Sequence, residues 1–266
     1  MLDDAVEAFA QSLFEAERDR RQTRALSILH PEATLDDAYR VQEAFVARKV
    51  AAGGRIRGHK IGLTSRAMQA AVGIDQPDSG YILDDMVFPD GGVVPGGRFI
   101  GLRVEAELAF VLGRDLSGAD CTLFDVLDAT AYVTPALEIL DTRIFRADPE
   151  TGAGRRVVDT VADNAANAGI VTGGRPFRPG DHDLRWIGAI CAKNGAVEET
   201  GLAAGVLNNP ASAVAWLVKR FAGQGRGLKA GEIVLAGSFI RPIEIGPGDT
   251  ITADYGPFGT VSCHVG

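Results

Sequence analysis

Three cysteines are all the thiols in 266 residues, and Cys121, Cys191 and Cys263 stand far apart with no CxxC pair. That spacing excludes a disulfide framework and a thiolate metal site, and leaves buried free thiols as the expectation. Basic charge is also short: Lys and Arg total 27 against 35 Asp and Glu, a formal net charge of −8, and the arginine pairs Arg20-Arg21 and Arg155-Arg156 are isolated. Without a basic footprint for phosphate backbones, nucleic acid is not an expected partner. No stretch approaches the ~18 apolar residues of a membrane span, and Met1-Leu2-Asp3-Asp4-Ala5 lacks the positive flank and apolar core of a secretory signal. The expectation is a cytoplasmic protein that does not engage membranes. With hydrophobic residues at 46% and charged residues at 23%, the chain is too apolar for disorder, and its length suits one large domain or two small ones.

Glycine, by contrast, is abundant at 33 residues, which reads as many tight turns and hence many strands. The opening is helical: Leu2, Val6, Phe9 and Leu13 recur at helical spacing opposite Asp3, Asp4, Glu7 and Glu15. Thr34 reads as the cap of a second helix, with Asp36 and Asp37 in its first turn and an apolar stripe through Leu35, Ala38, Tyr39, Val41, Phe45 and Val46, ended by Gly53-Gly54. Beyond it, short β-branched runs alternate with clusters such as Asp90-Gly91-Gly92 and Pro95-Gly96-Gly97. A strand-like run from Leu184 to Lys193 meets the hairpin signal Asn194-Gly195 and returns through Ala196-Val197-Glu198. A helix starts at Asn209-Pro210, and strands return at Glu232 to Leu235, Arg241 to Ile245 and Thr250 to Tyr255. The expected fold class is α+β, with a small helical α+β part over 1–75 and a β-rich mixed domain over 76–266 that carries the chemistry.

In Arg103-Val104-Glu105-Ala106-Glu107-Leu108 the alternation of a strand puts Glu105 and Glu107 on one face and Val104, Ala106 and Leu108 on the other. Two carboxylates that close repel unless water, a shared proton or a cation compensates, so the pair reads either as a wet outer face or as part of a Mg²⁺ or Mn²⁺ site. Glu138 lies in the apolar run Ala136-Leu137-Glu138-Ile139-Leu140, where an unpaired carboxylate is costly to bury. It is the third candidate ligand. Gly53 and Gly58 have phosphate-loop spacing, but His59 precedes Lys60 and Ile61 stands where Ser or Thr must hold magnesium, which rules that loop out. Lys60, beside apolar residues, is either a snorkelling lysine or a proton shuttle with a depressed pKa. His59 reads either as a hydrogen-bonding histidine or as a catalyst. Asp75-Gln76-Pro77-Asp78-Ser79-Gly80, Asp163-Asn164 and Asn167 have the composition of turns.

These residues also carry a resemblance. Gly58-His59-Lys60-Ile61-Gly62-Leu63-Thr64-Ser65, Asp75-Gln76-Pro77-Asp78, Glu105-Ala106-Glu107, Pro135-Ala136-Leu137-Glu138, Asp159-Thr160-Val161-Ala162-Asp163-Asn164 and Ala236-Gly237-Ser238 occur in the order seen in one group of the fumarylacetoacetate hydrolase superfamily. The group is that of the 2-hydroxypentadienoate hydratases and 4-oxalocrotonate decarboxylases, and the resemblance spans nearly the whole chain. It implies a β-rich domain of fumarylacetoacetate hydrolase C-terminal type, a magnesium or manganese site on Glu105, Glu107 and Glu138, and acid/base roles for Lys60 and Asp78, with His59 beside them. Gly205-Val206-Leu207-Asn208 and Gly237-Ser238-Phe239-Ile240-Arg241-Pro242 resemble the branch that hydrates a seven-carbon 2-oxo-4-ene dioate in homoprotocatechuate degradation. Arg241, supported by Ser238 and the Gly237 backbone, is then the candidate partner of the far carboxylate, the alternative being a surface arginine. The resemblance further implies a homo-oligomer, pentameric or decameric. A decarboxylase on the same site is the nearest rival, and an acidic binding module with solvated Glu105 and Glu107 is the non-enzymatic one.

Overall fold

In the computed structural model, which describes residues 1–266 apart from the side chains of residues 71 and 72, the amphipathic opening becomes α1 (Asp3–Asp19). It buries Val6, Phe9, Ala10, Leu13 and Ala16. A single turn, α2 (Leu26–Leu29), precedes α3 (Leu35–Ala51), which opens as expected on Thr34. The Asp37 N–H donates to Thr34 Oγ1 at 3.2 Å and the Thr34 N–H to Asp37 Oδ2 at 3.0 Å, a capping box that stabilises the helix by about 1 kcal/mol.

The remaining elements follow as β1 (Ile56–Gly62), α4 (Arg66–Val72), β2 (Asp78–Leu83), β3 (Val87–Pro89), β4 (Gly92–Val94), β5 (Arg103–Leu112), α5 (Leu123–Ala129) and β6 (Thr130–Leu140). Then come α6 (Val157–Ala162), β7 (Asn167–Thr172), β8 (Gly188–Lys193), β9 (Ala196–Leu202), α7 (Pro210–Ala222), β10 (Ile233–Leu235), β11 (Ile243–Glu244), β12 (Thr250–Asp254) and β13 (Thr260–Val265). One mixed sheet has the order β2-β1-β10-β5-β6-β7-β3, with β11 also paired to β5; a second has the order β4-β13-β12-β8-β9. The Asn194-Gly195 turn joins β8 and β9 with both residues at positive φ, 53° and 82°, as the tightest hairpin turns require.

The main core lies between the sheets and α7. It joins Val104, Ala106, Leu108 and Phe110 of β5 to Ile251, Ala253, Val261 and Cys263 of the second sheet and to Val214, Leu217 and Val218 of the helix. All three cysteines are buried and free, as expected. A second core packs α1 and α3 against Tyr81, Leu83, Met86, Val158 and Val161, on β2, the turn after it and α6. The expected boundary at 75/76 falls between α4 and β2, while β1, before it, is hydrogen-bonded between β2 and β10. The large sheet therefore crosses that position. Among the described residues no helix is long and apolar enough to cross a membrane.

The turn expected at Asp75 to Gly80 is only half correct, because Asp78, Ser79 and Gly80 open β2, whose six residues are all buried. Pairing with β1 overrides the turn composition, and on the far edge of β2 Gln42 of α3 donates to the Ser79 carbonyl at 2.8 Å while also donating to the Val161 carbonyl of α6 at 2.7 Å. Short helices α4, α5 and α6 carried no readable period, since six or seven residues span fewer than two turns.

Candidate metal centre

Strand β5 sends Val104, Ala106, Leu108, Phe110 and Leu112 into the main core and Glu105 and Glu107 to the opposite face. Register with β6 sets Glu138 directly across from Glu105 and Ala136 across from Glu107. Like charges facing each other across a ladder are destabilising on their own. One carboxylate oxygen from each of the three glutamates lies within 4.8 Å of the others. Glu107 and Glu138 are fully buried, so the wet outer face considered from sequence is not what forms. Burial, reinforced by the neighbouring Glu138 charge, pushes the Glu105 carboxyl up to about 8, and burial with Glu138 and Glu105 raises Glu107 well above the usual carboxylate range. Glu107 Oε1 and Glu138 Oε2 are buried without a hydrogen-bond partner. Three oxygen donors, two of them with orphaned oxygens in a mutually repelling cluster, fit a hard divalent cation.

Lys60 reaches the same cluster from β1. Through β10 the register runs Lys60, Leu235, Ala109, so Lys60 shares the face of Glu107 two strands away. Its ammonium donates to the Ala165 carbonyl at 2.9 Å and lies 3.4 Å from Glu138 Oε1. The depressed pKa considered for Lys60 is not what the site produces. Burial alone would lower it, but the charges of Glu138, Asp78, Glu105 and Glu107 outweigh burial and hold the ammonium above its ordinary value. Asp78, at the start of β2, is buried with Oδ1 unpartnered; burial raises its carboxyl, and Lys60 pulls it back. Gly62 lies opposite Asp78 in the ladder, and a Cβ there would collide with both the Asp78 carboxylate and the Lys60 ammonium.

Of the other residues expected at the site, only Gly237 reaches the cluster among the described residues. His59, one residue from Lys60, necessarily faces the other side of the sheet. There its ring packs on Phe221 of α7 and on Tyr81, with centroids 4.8 and 5.0 Å away, and burial lowers its pKa to about 3. It is a neutral packing residue and does not join the cluster. Gly237 contributes through its backbone, its N–H donating to Glu107 Oε2 at 2.8 Å. Its φ of +116° and the Thr64 side chain against its Cα leave no room for another residue. Ser238 Oγ closes its own loop, donating to the Ile240 carbonyl at 2.8 Å. The Arg241 side chain is 83% exposed and paired with Glu199 of β9 at 2.7 Å, so its expected role inside the site is not what this arrangement provides.

A profile for fumarylacetoacetate (FAA) hydrolase C-terminal domains matches residues 67–266. The chain belongs to that family. It is similar to the 2-oxo-hept-4-ene-1,7-dioate hydratase of Escherichia coli, with 55% identity covering 96% of each chain. It is similar also to the 4-oxalocrotonate decarboxylase of Pseudomonas sp. (strain CF600), with 37% identity covering 98% of this chain and 97% of the relative. Among solved structures, the 4-oxalocrotonate decarboxylase from Pseudomonas putida G7 complexed with magnesium and adipate superposes with a TM-score of 0.93 at 36% identity, covering 100% of this chain and 98% of that one. The family span holds Asp78 and the three glutamates, whereas Lys60 precedes it.

Several supports within the family span went unread from sequence. Asn164, Ala165 and Ala166 are three successive non-glycine residues at positive φ, 52°, 50° and 60°. Each such residue costs on the order of 1 kcal/mol, so the surroundings must impose the turn. The Asn164 side chain accepts from the Tyr81 N–H at 2.7 Å and donates to the Tyr81 carbonyl at 2.9 Å, while buried Arg143 pairs with Asp163. The turn thereby presents the Ala165 carbonyl to Lys60 and Asn167 to Glu138, whose Oε1 accepts from Asn167 Nδ2 at 2.6 Å. Asn167→Ala is expected to weaken divalent-cation affinity about 10- to 100-fold, the usual effect of losing the group that orients a ligand, as measured by Mn²⁺ titration; unchanged affinity would remove Asn167 from the site's support.

Tyr255 is a second unread support. Its hydroxyl accepts from the Glu107 N–H at 3.1 Å and donates to the Ala136 carbonyl at 2.6 Å, tying the second sheet to the ladder that carries the three glutamates. Tyr255→Phe leaves those buried groups short of a partner and is expected to cost about 1–3 kcal/mol in urea unfolding. A loss below about 0.5 kcal/mol would mean that the ladder re-forms without it.

Proposed function

We propose that this chain is a hydratase of the fumarylacetoacetate hydrolase superfamily that adds water to 2-oxohept-4-ene-1,7-dioate, supplied as 2-hydroxyhepta-2,4-diene-1,7-dioate, to give 4-hydroxy-2-oxoheptanedioate. The observation that carries this reading is the convergence of Glu105, Glu107 and Glu138 beside the Lys60 ammonium. Identity of 55% to a hydratase of that name, against 37% to a decarboxylase, supports the substrate. Glu105, Glu107 and Glu138 would hold Mg²⁺ or Mn²⁺, which supplies Lewis-acid polarisation of the 2-oxo oxygen and its adjacent carboxylate.

The protein groups then handle protons. Conversion of the dienol to the conjugated 2-oxo-3-ene transfers the 2-hydroxyl proton to C5, and hydration then splits water into a hydroxyl at C4 and a proton at C3. Lys60, a charged donor fixed by the Ala165 carbonyl, is assigned to proton delivery. Asp78, with one unpartnered oxygen and a raised pKa, is assigned to taking the proton from water. The buried face around Leu235, Ala109, Ala136 and Ile170 limits competing water. A homo-oligomer, pentameric or decameric, and a cytoplasmic place belong to the same reading; exposed Trp186, Ile190 and Val197 along β8, β9 and the turn before them support the assembly.

The test incubates the purified protein with magnesium and enzymatically generated 2-hydroxyhepta-2,4-diene-1,7-dioate, following diene absorbance and product mass. Gain of one water, abolished by chelator, is the expected result. Loss of carbon dioxide from an oxalocrotonate-type substrate, with the diene untouched, would transfer the protein to the decarboxylase branch, and absence of any cation site would favour a binding module.

A further inference from the structure

We propose that Arg103 and Arg155 form the subsite that binds the distal carboxylate of the substrate. This assignment rests on the diacid reading above and replaces Arg241 in that role. The strand alternation that pairs Glu105 with Glu107 puts Arg103 on the same face, two residues earlier and about 7 Å along β5. From C2 of a seven-carbon 2-oxo dioate, five carbon–carbon bonds of ~1.5 Å span about 6 Å to C7. A substrate with its 2-oxo end at the glutamates therefore ends near Arg103.

Arg155 arrives from a separate element. The segment 146–155 folds back on itself, with a bridge between Ala147 and Gly154 and the Arg155 N–H donating to the Arg146 carbonyl at 2.9 Å. Arg146 and Arg155 are thus opposite each other and their side chains share a face. Arg146 pairs with Glu244, the residue opposite Arg103 on β11, so the folded-back segment meets β5 at its Arg103 end.

Among the described residues the nearby acids form no ion pair with Arg103 or Arg155. Glu244, the register partner of Arg103 on β11, is paired with Arg146 at 3.2 Å. Asp163 is held by Arg143, and Asp159 accepts from Ser27 and from the Arg156 N–H. Among the described residues Arg155 donates only to the neutral Thr142 hydroxyl, and Arg103 Nε is buried without an acceptor. Two half-buried guanidiniums short of acceptors match the fork geometry of a carboxylate.

Calorimetric binding in magnesium of 2-oxoheptanedioate and 2-oxoheptanoate tests the subsite, since both are saturated and differ only in the distal carboxylate. The native protein is expected to prefer the diacid about 10- to 100-fold, from hydrogen bonds to a charged group. Arg103→Met should reduce that ratio at least about tenfold and Arg103→Lys less, because it keeps charge without the fork. Arg155→Gln, on the folded-back segment, should lower the ratio independently of any disturbance of β5. No diacid preference in the native protein, or a preference that survives both Arg103→Met and Arg155→Gln but is lost in Arg241→Ala, overturns the assignment. If the preference behaves as expected while the dienol gains no water, the subsite stands and the hydratase reading falls. Hydration with a preference indifferent to both arginines gives the reverse.

Discussion

Glu107→Gln is expected to lower turnover by about 10³-fold and to abolish stabilisation by magnesium, while the cation-free protein melts higher than its parent. Glu107 is fully buried, one oxygen accepting from the Gly237 N–H and the other without a partner. Glutamine keeps the volume and the acceptor for Gly237 but removes a buried carboxyl that, without a cation, must either take up a proton or ionise against the repulsion of its neighbours. Relief of that repulsion stabilises the chain where no cation offsets it. For the parent, magnesium at about a hundred times its dissociation constant contributes about 2.7 kcal/mol, or roughly 5–10 °C in melting temperature at this length. The turnover loss follows from losing several kcal/mol of Lewis-acid stabilisation, at about 1.4 kcal/mol per tenfold in rate. Thermal scans with magnesium and with chelator check both signs. An undiminished magnesium shift in the variant would remove Glu107 from the ligand set.

That glutamate was legible in the sequence because a strand's period of two fixes which residues share a face, whatever the tertiary context. The same rule separates His59 from Lys60 and puts Arg103 beside Glu105, although the motif around His59-Lys60 drew both into the site and Arg103 escaped notice. Helices α1, α3 and α7 were legible for an equally local reason: caps at Thr34 and Asn209 and apolar stripes long enough to show a period. What was not legible depends on contacts distant along the chain. Asn167 and Asp163 have turn composition, and only the buried Arg143 and the left-handed turn between them make one an anchor for Glu138 and the other a buried counter-ion. The pKa of Lys60 is a similar case. Its apolar neighbours in sequence imply a lowered value, and four carboxylates from other strands reverse the sign.

Lys60→Met is expected to lower turnover by about 10²- to 10⁴-fold, the range of a lost general acid, and at the same time to tighten divalent-cation binding. The second effect distinguishes a proton donor from a residue that merely holds the site together. In the parent the ammonium lies 3.4 Å from Glu138 Oε1, on a carboxylate the cation needs, so the two positive charges compete for one partner. A charge at such range typically moves an ionisation equilibrium by 1–3 pK units, and removing it should strengthen cation affinity roughly tenfold or more. Methionine fills the same length with an unbranched, apolar chain. It leaves the Ala165 carbonyl without its donor, for which a loss of about 1–3 kcal/mol in stability is expected. Binding of Mn²⁺ by paramagnetic resonance and turnover of the dienol by absorbance read the two effects separately. Weaker cation binding together with lost turnover would make Lys60 a structural support of the glutamates, and unchanged turnover would take it out of the proton path altogether.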